Sequence, residues 1–260
     1  MPIASLNNAS LHYVIEGPKG APVVVLSNSL GTELSLWEPQ VAELTRYFQV
    51  LRYDTRGHGC SRSPESAYSL EDLGGDVLDL MNHLEIERFH VCGVSLGGIT
   101  ALWLAIHAPQ RVLSLMPCNT AARIGSESSW NARIEQVRQH GLASIADATM
   151  ERWFTESFRH NNPVRVESTR RMLLHTDARG YIACCAALRD ADLRDAIASI
   201  AAPALVVSGT HDPVTPPLDG HYLQGAIPSA RYCELNAAHI SNVEQSEAFL
   251  QAMLEFLGAL

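Results

Sequence analysis

The sequence lacks the signatures of metalloproteins, nucleotide-binding proteins and nucleic-acid-binding proteins. Its six cysteines include no C-x-x-C pair, and its eleven histidines are scattered, with no second His or Cys at ligand spacing. No metal is therefore expected. A glycine-rich phosphate loop of the Rossmann or P-loop type is also missing, and no cofactor is expected. The formal net charge of −9 makes nucleic acid and anionic membranes unsuitable partners.

Long apolar runs are equally scarce. The longest uncharged stretch, residues 91–106, contains three glycines and falls short of the roughly 20 residues that span a bilayer. The N-terminus, residues 1–6, has no basic segment followed by an apolar one, so no secretory signal is expected. The cysteines include the adjacent pair Cys184 and Cys185, which is a poor disulfide geometry. Free thiols and a cytoplasmic location are predicted, while the sequence makes no prediction of oligomeric state.

What the sequence does contain is an alternation of apolar runs and helical patterns. At 260 residues and 47% hydrophobic content the chain suits a single α/β domain that carries an insertion. Five runs are apolar throughout, which is typical of parallel strands covered on both faces; they lie at 23–26, 50–53, 89–92, 113–116 and 204–207. Helices are predicted at 37–44 and 70–84, the second opened by Ser69 and Asp72 at capping-box spacing.

The segment Gly93-Val94-Ser95-Leu96-Gly97 lies between one of these strands and a helical stretch. Small residues on both sides of a serine permit the sharp strand-to-helix turn that projects the Oγ atom from the edge of a sheet. Ser95 is therefore the predicted catalytic nucleophile.

An acid and a histidine follow Ser95 in the chain order that this kind of site requires. Asp212 lies in a turn directly after the strand at 204–207, and His239 follows a further strand at 231–235. Each residue alone is compatible with an ordinary turn or loop. Together, and in this order, they predict that His239 is the base and that Asp212 orients it.

These motifs resemble the α/β-hydrolase family over nearly the whole chain. Asp54 to Ser61 is similar to the family's D-x-R-G-x-G-x-S segment, and Gly209 to Asp212 is similar to its G-x-x-D acid turn. The resemblance implies a mostly parallel, eight-stranded sheet covered by helices on both faces, with an all-helical cap inserted after the sixth strand. It places the core domain at 1–120 and 188–260 and the cap at 121–187.

One departure from the family pattern narrows the resemblance. Where most members open the oxyanion loop with a His-Gly pair, this chain has Ser27-Asn28-Ser29-Leu30-Gly31-Thr32. This variant is similar to the 3-oxoadipate enol-lactonases, the lactone hydrolases of bacterial aromatic catabolism. Further similar segments lie at 118–125, 130–133, 151–154, 180–181 and 184–192. The resemblance implies hydrolysis of 3-oxoadipate enol-lactone to 3-oxoadipate in the β-ketoadipate pathway of protocatechuate and catechol catabolism.

The predicted cap differs in charge from the rest of the chain. Residues 121–187 hold nine arginines against seven acidic residues, a net charge of +2, which leaves −11 for the remainder. A basic cap suits a small anionic lactone as substrate. Trp130 and Arg133 lie one helical turn apart and, with Trp153, are the predicted substrate-binding residues. The alternatives are that Trp130 belongs to an apolar stripe that seats the cap, and that the carboxylate is bound by Arg123, Arg138 or Arg152.

The chemistry of a lactone leads to a hypothesis about the mechanism. His239 takes the proton of Ser95 as Oγ attacks the ring carbonyl, and the backbone N–H groups of Leu30 and Leu96 receive the oxyanion. Direct attack by water that His239 activates gives the same product.

Other functions fit the same motifs. A carboxylesterase or a carbon–carbon bond hydrolase uses the same elbow, whereas a non-catalytic, ligand-binding protein on this scaffold would not need the intact set of Ser95, Asp212 and His239. Turnover of the enol-lactone beside a panel of simple esters separates these alternatives.

Overall fold

The centre of the molecule is one mostly parallel β-sheet. The computed structural model describes residues 2–6, 9–62 and 66–258. Within these residues eight strands form a sheet in the order β1-β2-β4-β3-β5-β6-β7-β8. The strands are β1 Ile3–Ser5, β2 Ser10–Glu16, β3 Val23–Ser27, β4 Gln49–Tyr53, β5 Phe89–Val94, β6 Val112–Cys118, β7 Leu205–Gly209 and β8 Arg231–Leu235.

The strands that the sequence showed to be apolar throughout are strands that pair in parallel. β2 pairs antiparallel with β1 and β4, whereas β3 to β8 pair in parallel. All five residues of β3 and of β7 are buried. Since successive residues of a strand point to opposite faces, this burial means that both faces of the sheet are covered.

In the part of the chain that the structure describes, eleven α-helices accompany this sheet. They are α1 Glu38–Leu44, α2 Leu70–His83, α3 Leu96–His107, α4 Glu127–His140, α5 Ala143–Trp153, α6 Glu156–Asn161, α7 Pro163–His175, α8 Ala178–Asp190, α9 Pro217–Ala226, α10 Ser241–Glu244 and α11 Ser246–Gly258. None of these helices is long and apolar enough to cross a membrane.

The five helices α4 to α8 form a continuous helical segment between β6 and β7, here called the helical insertion (residues 127–190). Its helices contact one another, since α4 packs on α8 and on α5, and α5 packs on α7. The segment leaves the sheet at the carboxyl end of β6, where catalytic groups collect in open α/β sheets.

The predicted fold class is confirmed, and the elements located from the sequence differ only at their ends, whereas β1 and β2 were not located individually. The capping box at α2 forms as expected, with Asp72 N–H donating to Ser69 Oγ at 3.1 Å and Ser69 N–H donating to Asp72 Oδ2 at 2.8 Å. A short 3-10 turn at Leu34–Trp37 precedes α1, which therefore begins at Glu38 and not at Trp37. The helical insertion ends at Asp190, three residues beyond the predicted boundary, because α8 continues unbroken. Met1, residues 7–8 and residues 259–260 of the predicted core domain lie outside the described residues, as do residues 63–65.

Candidate active site

Ser95 sits at the turn between β5 and α3 with a backbone that few residues adopt. Its φ is +57° and its ψ is −112°, and it is 4% exposed. The turn is tight because glycines flank it: a Cβ on Gly93 would lie 2.1 Å from the carbonyl oxygen of Gly97, and one on Gly97 would lie 2.1 Å from that of Ser27. The glycines of the pentapeptide are thus required by close backbone approach, and they hold Ser95 at the carboxyl edge of the sheet.

Asp212 and His239 come from the loops after β7 and β8, at the same edge of the sheet. His239 Nδ1 lies 2.8 Å from Asp212 Oδ2, and the two residues are 1% and 3% exposed. A proton on Nδ1 that is donated to this carboxylate leaves Nε2 as the acceptor nitrogen. The structure thus brings the predicted acid and base into direct contact.

The carboxylate of Asp212 is held by several further donors. Its Oδ1 accepts from the N–H groups of Val214 and Thr215 at 2.8 and 3.1 Å, and its Oδ2 accepts from Thr215 Oγ1 and Asn119 Nδ2 at 2.9 and 3.0 Å. Burial raises the pKa of Asp212, but interaction with His239 and these hydrogen bonds outweigh it, so the pKa lies below its usual value. The carboxyl group is therefore ionised and fixed in orientation.

Asn119 is a site residue that sequence reasoning missed. It lies directly after β6 with φ +44°, and besides Asp212 its Nδ2 donates to the carbonyl of Ala238 at 3.1 Å. The side chain therefore joins the acid loop to the loop of His239. A polar residue at the carboxyl end of a parallel strand was the available signal.

A small cavity of about 70 Å³ lies beside Ser95 and His239. Four further residues singled out from the sequence line it, namely Leu30, Trp130, Arg133 and Trp153. Asp212 lies behind His239, and Leu96 directly follows Ser95 as the first residue of α3, where helix geometry leaves its N–H without an intrahelical acceptor. The structure thus gathers the predicted site residues around one space.

The loop that follows β3 is held in place from behind. Asn28 donates through Nδ2 to the carbonyl of Tyr53 at 2.6 Å and accepts at Oδ1 from Trp37 Nε1 at 3.0 Å. Gly31 N–H donates to Nε2 of the buried His58 at 3.0 Å. Because residues on both sides of Leu30 are anchored, its backbone has a fixed position beside the cavity.

Two guanidinium groups line the cavity without a carboxylate partner. Arg133 donates to the hydroxyl of Tyr181 at 3.4 Å, and Arg152 donates to Thr149 Oγ1 at 3.1 Å; within residues 2–6, 9–62 and 66–258 neither forms an ion pair. Burial, together with the nearby charge of Arg133, lowers the pKa of Arg152. Two adjacent, partly buried cations favour an anion between them.

The other two alternative arginines point elsewhere. Arg123 lies 3.5 Å from Asp192 and Arg138 lies 2.7 Å from Glu135, and neither lines the cavity. Arg152 therefore joins Arg133 as a cavity residue.

Both tryptophans that were predicted to bind the substrate line the cavity, and both also form hydrogen bonds with other parts of the protein. Trp130 Nε1 donates to the carbonyl of Ile124 at 2.6 Å, which fixes the indole at the start of the helical insertion. The carbonyl of Trp153 accepts from Ile240 N–H at 3.1 Å. The apolar wall is thus tied both to the helical insertion and to the loop of His239.

One group of metal-ligand type occurs in the described part of the chain. Donor atoms of His12, Asp54 and Cys60 lie within 4.8 Å of one another. The Asp54 carboxylate already accepts from His12 Nδ1 at 2.7 Å, from Cys60 N–H at 2.9 Å and from Leu34 N–H at 2.8 Å. These bonds give the group a structural role, since they join the loop after β4 to the loop after β3.

Comparison with known proteins agrees with this geometry. A family model described as the alpha/beta hydrolase fold matches residues 22–245. The 3-oxoadipate enol-lactonase 1 of Acinetobacter baylyi is 43% identical over 258 residues, which cover 99% of this chain and 97% of that protein. The crystal structure of the enol-lactonase from Burkholderia xenovorans LB400 is 48% identical, with a TM-score of 0.97, covering 99% of this chain and 100% of the other.

A more distant structure shares the same scaffold. The malate-bound structure of a thermophilic esterase from Thermogutta terrifontis is 26% identical, with a TM-score of 0.94, and covers 100% of this chain and 99% of its own. The similarity to an esterase extends over the same elements as the similarity to the lactonases.

Proposed function

The chain belongs to the α/β-hydrolase family, and we propose that it hydrolyses 3-oxoadipate enol-lactone to 3-oxoadipate, the step that this activity supplies in the β-ketoadipate pathway. The observation that carries the proposal is the pair Arg133 and Arg152, which present unpaired positive charge in the cavity that Ser95 and His239 also line. The enol-lactone carries a carboxymethyl group, and a carboxylate is the ligand that two guanidinium groups bind best.

Ser95 is the nucleophile in this mechanism. His239 Nε2 takes the proton from Ser95 Oγ as the oxygen attacks the ring carbonyl, and the ionised Asp212 stabilises the imidazolium that forms. The N–H groups of Leu30 and Leu96 donate to the oxyanion of the tetrahedral intermediate. These donors belong to the backbone, so their geometry depends on the anchored loop after β3 and on the first turn of α3.

Ring opening completes the acylation half of the reaction. The tetrahedral intermediate collapses, the ring C–O bond breaks, and the departing enol oxygen takes the proton from His239. The enol then tautomerises to the ketone, which removes the nucleophile that would close the ring again. His239 next activates a water molecule that attacks the acyl group on Ser95, releasing 3-oxoadipate and returning the proton to Ser95 Oγ.

The helical insertion acts in this proposal as a cap that selects the substrate. It supplies Trp130, Arg133, Arg152 and Trp153 to the cavity wall, whereas Ser95 and His239 come from loops at the sheet edge. In this proposal the cap comprises the helices of residues 127–190. A cytoplasmic location belongs to the same proposal and is supported by six free cysteines.

Carboxylesterase activity is the second candidate, and the similarity to a structurally characterised esterase favours it. The triad opens any accessible ester, but a neutral ester leaves the two guanidinium groups without a partner. The anionic lactone should therefore be the preferred substrate.

The experiment is turnover of enol-lactone generated from muconolactone, followed by loss of its ultraviolet absorbance, beside a panel of neutral lactones and aryl esters. We expect kcat/KM for the enol-lactone to exceed that for every neutral ester. Hydrolysis of aryl esters without loss of the lactone absorbance would assign the chain to the carboxylesterases.

A further inference from the structure

Glu244 is a buried carboxylate that the catalytic mechanism does not use. It is the last residue of α10, is 9% exposed and forms no ion pair within the residues that the structure describes. Its charge is instead met by hydrogen-bond donors. Ala238 N–H donates to Oε2 at 3.0 Å, Thr155 N–H lies 3.2 and 3.3 Å from Oε1 and Oε2, and Thr155 Oγ1 donates to Oε1.

The two partners of Glu244 belong to different parts of the site. Ala238 directly precedes His239, the proposed base. Thr155 lies two residues after Trp153, at the end of α5, and is the N-cap of α6, where its Oγ1 accepts from Phe158 N–H at 3.2 Å. One carboxylate thus spans the loop of the base and the helical insertion.

A second contact runs beside this one. Ile240 N–H, directly after His239, donates to the carbonyl of Trp153 at 3.1 Å. The last turn of α5, which carries Arg152 and Trp153 into the cavity, is therefore attached on both sides of His239. These attachments fix the distance between Arg152, on the last turn of α5, and the proposed base His239.

We infer that Glu244 is a positioning residue. It sets the position of the substrate, whose carboxylate is bound by Arg133 and Arg152, relative to His239. The inference rests on the proposed function, because it concerns a substrate that binds this wall through its carboxylate. A small error in the separation of reacting groups is enough to lower the rate of a positioned reaction strongly. A neutral ester that does not engage the wall should be insensitive to the same error.

The chemistry of the contact requires a carboxylate. Three donor groups converge on Glu244, and an ionised carboxylate accepts from all of them because it carries no proton. An amide at this position has only one acceptor oxygen and places its NH₂ group against a donor. Glu244→Gln can keep its oxygen on Ala238 N–H and so preserve the loop of His239, but its NH₂ group then faces Thr155 Oγ1, which can no longer donate at that position.

The test compares kcat and KM for the enol-lactone and for a small neutral aryl ester in four single variants and one double variant. Glu244→Gln weakens the attachment from the carboxylate side, and Thr155→Val removes the hydroxyl donor from the other side. Thr155→Ser keeps a hydroxyl and serves as the conservative rescue. Glu247→Gln is the matched control, since Glu247 is an exposed glutamate in the first turn of α11.

We expect Glu244→Gln to lower kcat for the enol-lactone by about tenfold, with KM and the aryl ester activity changed by less than about twofold. Thr155→Val should shift the ratio of the two activities in the same direction, while Thr155→Ser and Glu247→Gln should keep the wild-type ratio. The double variant Glu244→Gln/Thr155→Val should be no worse than the more impaired single variant, because both break one contact.

Two other outcomes separate the inference from the proposed function. If the wild type hydrolyses the lactone but Glu244→Gln loses both activities alike, or neither, then Glu244 supports folding only and the inference is wrong. If the wild type hydrolyses the aryl ester but not the lactone, the proposed function is wrong, and the inference, which rests on it, is wrong as well. If Glu244→Gln does not fold, the ratio of lactone to aryl ester activity in Thr155→Val tests the inference.

Discussion

The proposed role of Ser95 is chemical and not structural, because Ser95 lines the cavity that His239 also lines. Ser95→Ala should lower kcat for the enol-lactone by roughly 10⁴-fold or more. The measurement is turnover of the lactone with thermal unfolding as the control for folding. Retention of more than a few per cent of wild-type activity, with folding confirmed, would contradict the nucleophile assignment and leave direct attack by water as the mechanism.

The backbone of Ser95 makes a separate prediction about stability. At φ +57° and ψ −112° any residue with a Cβ is strained, at a cost of about 1–3 kcal/mol. Glycine avoids this strain but loses more chain entropy on folding, by about 0.5–1 kcal/mol. The strain is the larger effect, so Ser95→Gly should melt about 2 °C above Ser95→Ala. Equal or reversed melting temperatures would show that the turn relaxes around alanine.

Arg133 should determine which substrates are hydrolysed. If its guanidinium binds the carboxylate of the lactone beside Arg152, Arg133→Ala should cost roughly 2–4 kcal/mol in kcat/KM for that substrate. A neutral aryl ester should be hydrolysed almost as well by the variant as by the wild type. Arg138→Ala is the matched control, since Arg138 lies on the same helix but is exposed and paired with Glu135.

The pattern of losses identifies the role. Equal losses for both substrates would mean that Arg133 only supports the cap, and no loss for either would leave Arg152 as the carboxylate ligand.

At the scale of a whole element, the loop between β3 and α1 depends on a histidine that the sequence did not single out. His58 is 1% exposed, accepts from Gly31 N–H through Nε2 and has Nδ1 3.2 Å from the carbonyl of Arg56. This pair of contacts requires the neutral ring, with the proton on Nδ1. Burial lowers the pKa of His58, although the Arg56 carbonyl and the charges of Asp54 and Asp177 act in the opposite direction.

Stability should therefore depend on pH through this loop. The unfolded chain gains a proton on His58 below its ordinary pKa of about 6.5, whereas the folded chain gains it only at lower pH. The contribution is complete above that pKa and is lost as the pH falls. His58→Gln keeps an acceptor without titrating, so between about pH 7.5 and pH 5.5 it should lose less stability than the wild type. Urea unfolding at both pH values gives the two differences, and equal differences would contradict the prediction.

At the scale of the whole molecule, the helical insertion meets the core where two glycine backbones touch. A Cβ on Gly180, in the first turn of α8, would lie 2.4 Å from the carbonyl oxygen of Gly57 and 2.5 Å from its Cα. Backbone atoms on both sides leave no side chain that could move aside. The contact therefore holds α8, which carries Tyr181 of the cavity wall, at a fixed distance from the loop after β4.

Gly180→Ala should push α8 away from the loop after β4. In an isolated helix the change is favourable by about 1 kcal/mol, but the overlap with Gly57 should reverse the sign and lower both the melting temperature and lactone turnover. Gly225→Ala is the matched control, because it lies in α9 with no atom within 4 Å of the new Cβ. That variant should be neutral or slightly stabilising. A stabilised Gly180→Ala would show that α8 can shift without loss.

The sequence predicted the sheet, the sharp turn at Ser95 and the positions of Asp212 and His239, because each is specified by residues adjacent in the chain. Apolar runs give the buried strands, and small flanking residues give the turn. Asn119 and Glu244 were missed since their partners Asp212 and Thr155 lie 93 and 89 positions away. The place of Asn119 after β6 was a local signal for a site residue, but its pairing with Asp212, like that of Glu244 with Thr155, follows from how loops meet in three dimensions.

The size of the cavity beside Ser95 has a consequence for the time course of catalysis. Its volume of about 70 Å³ has room for only a few water molecules. A lactone with a carboxymethyl arm is larger than this space, so side chains of the cavity wall must move when the substrate binds. If the wall opens before binding, the opening frequency is a property of the protein alone. In stopped-flow mixing the observed binding rate will therefore level off with rising substrate concentration, at a limit shared by lactones of different affinity.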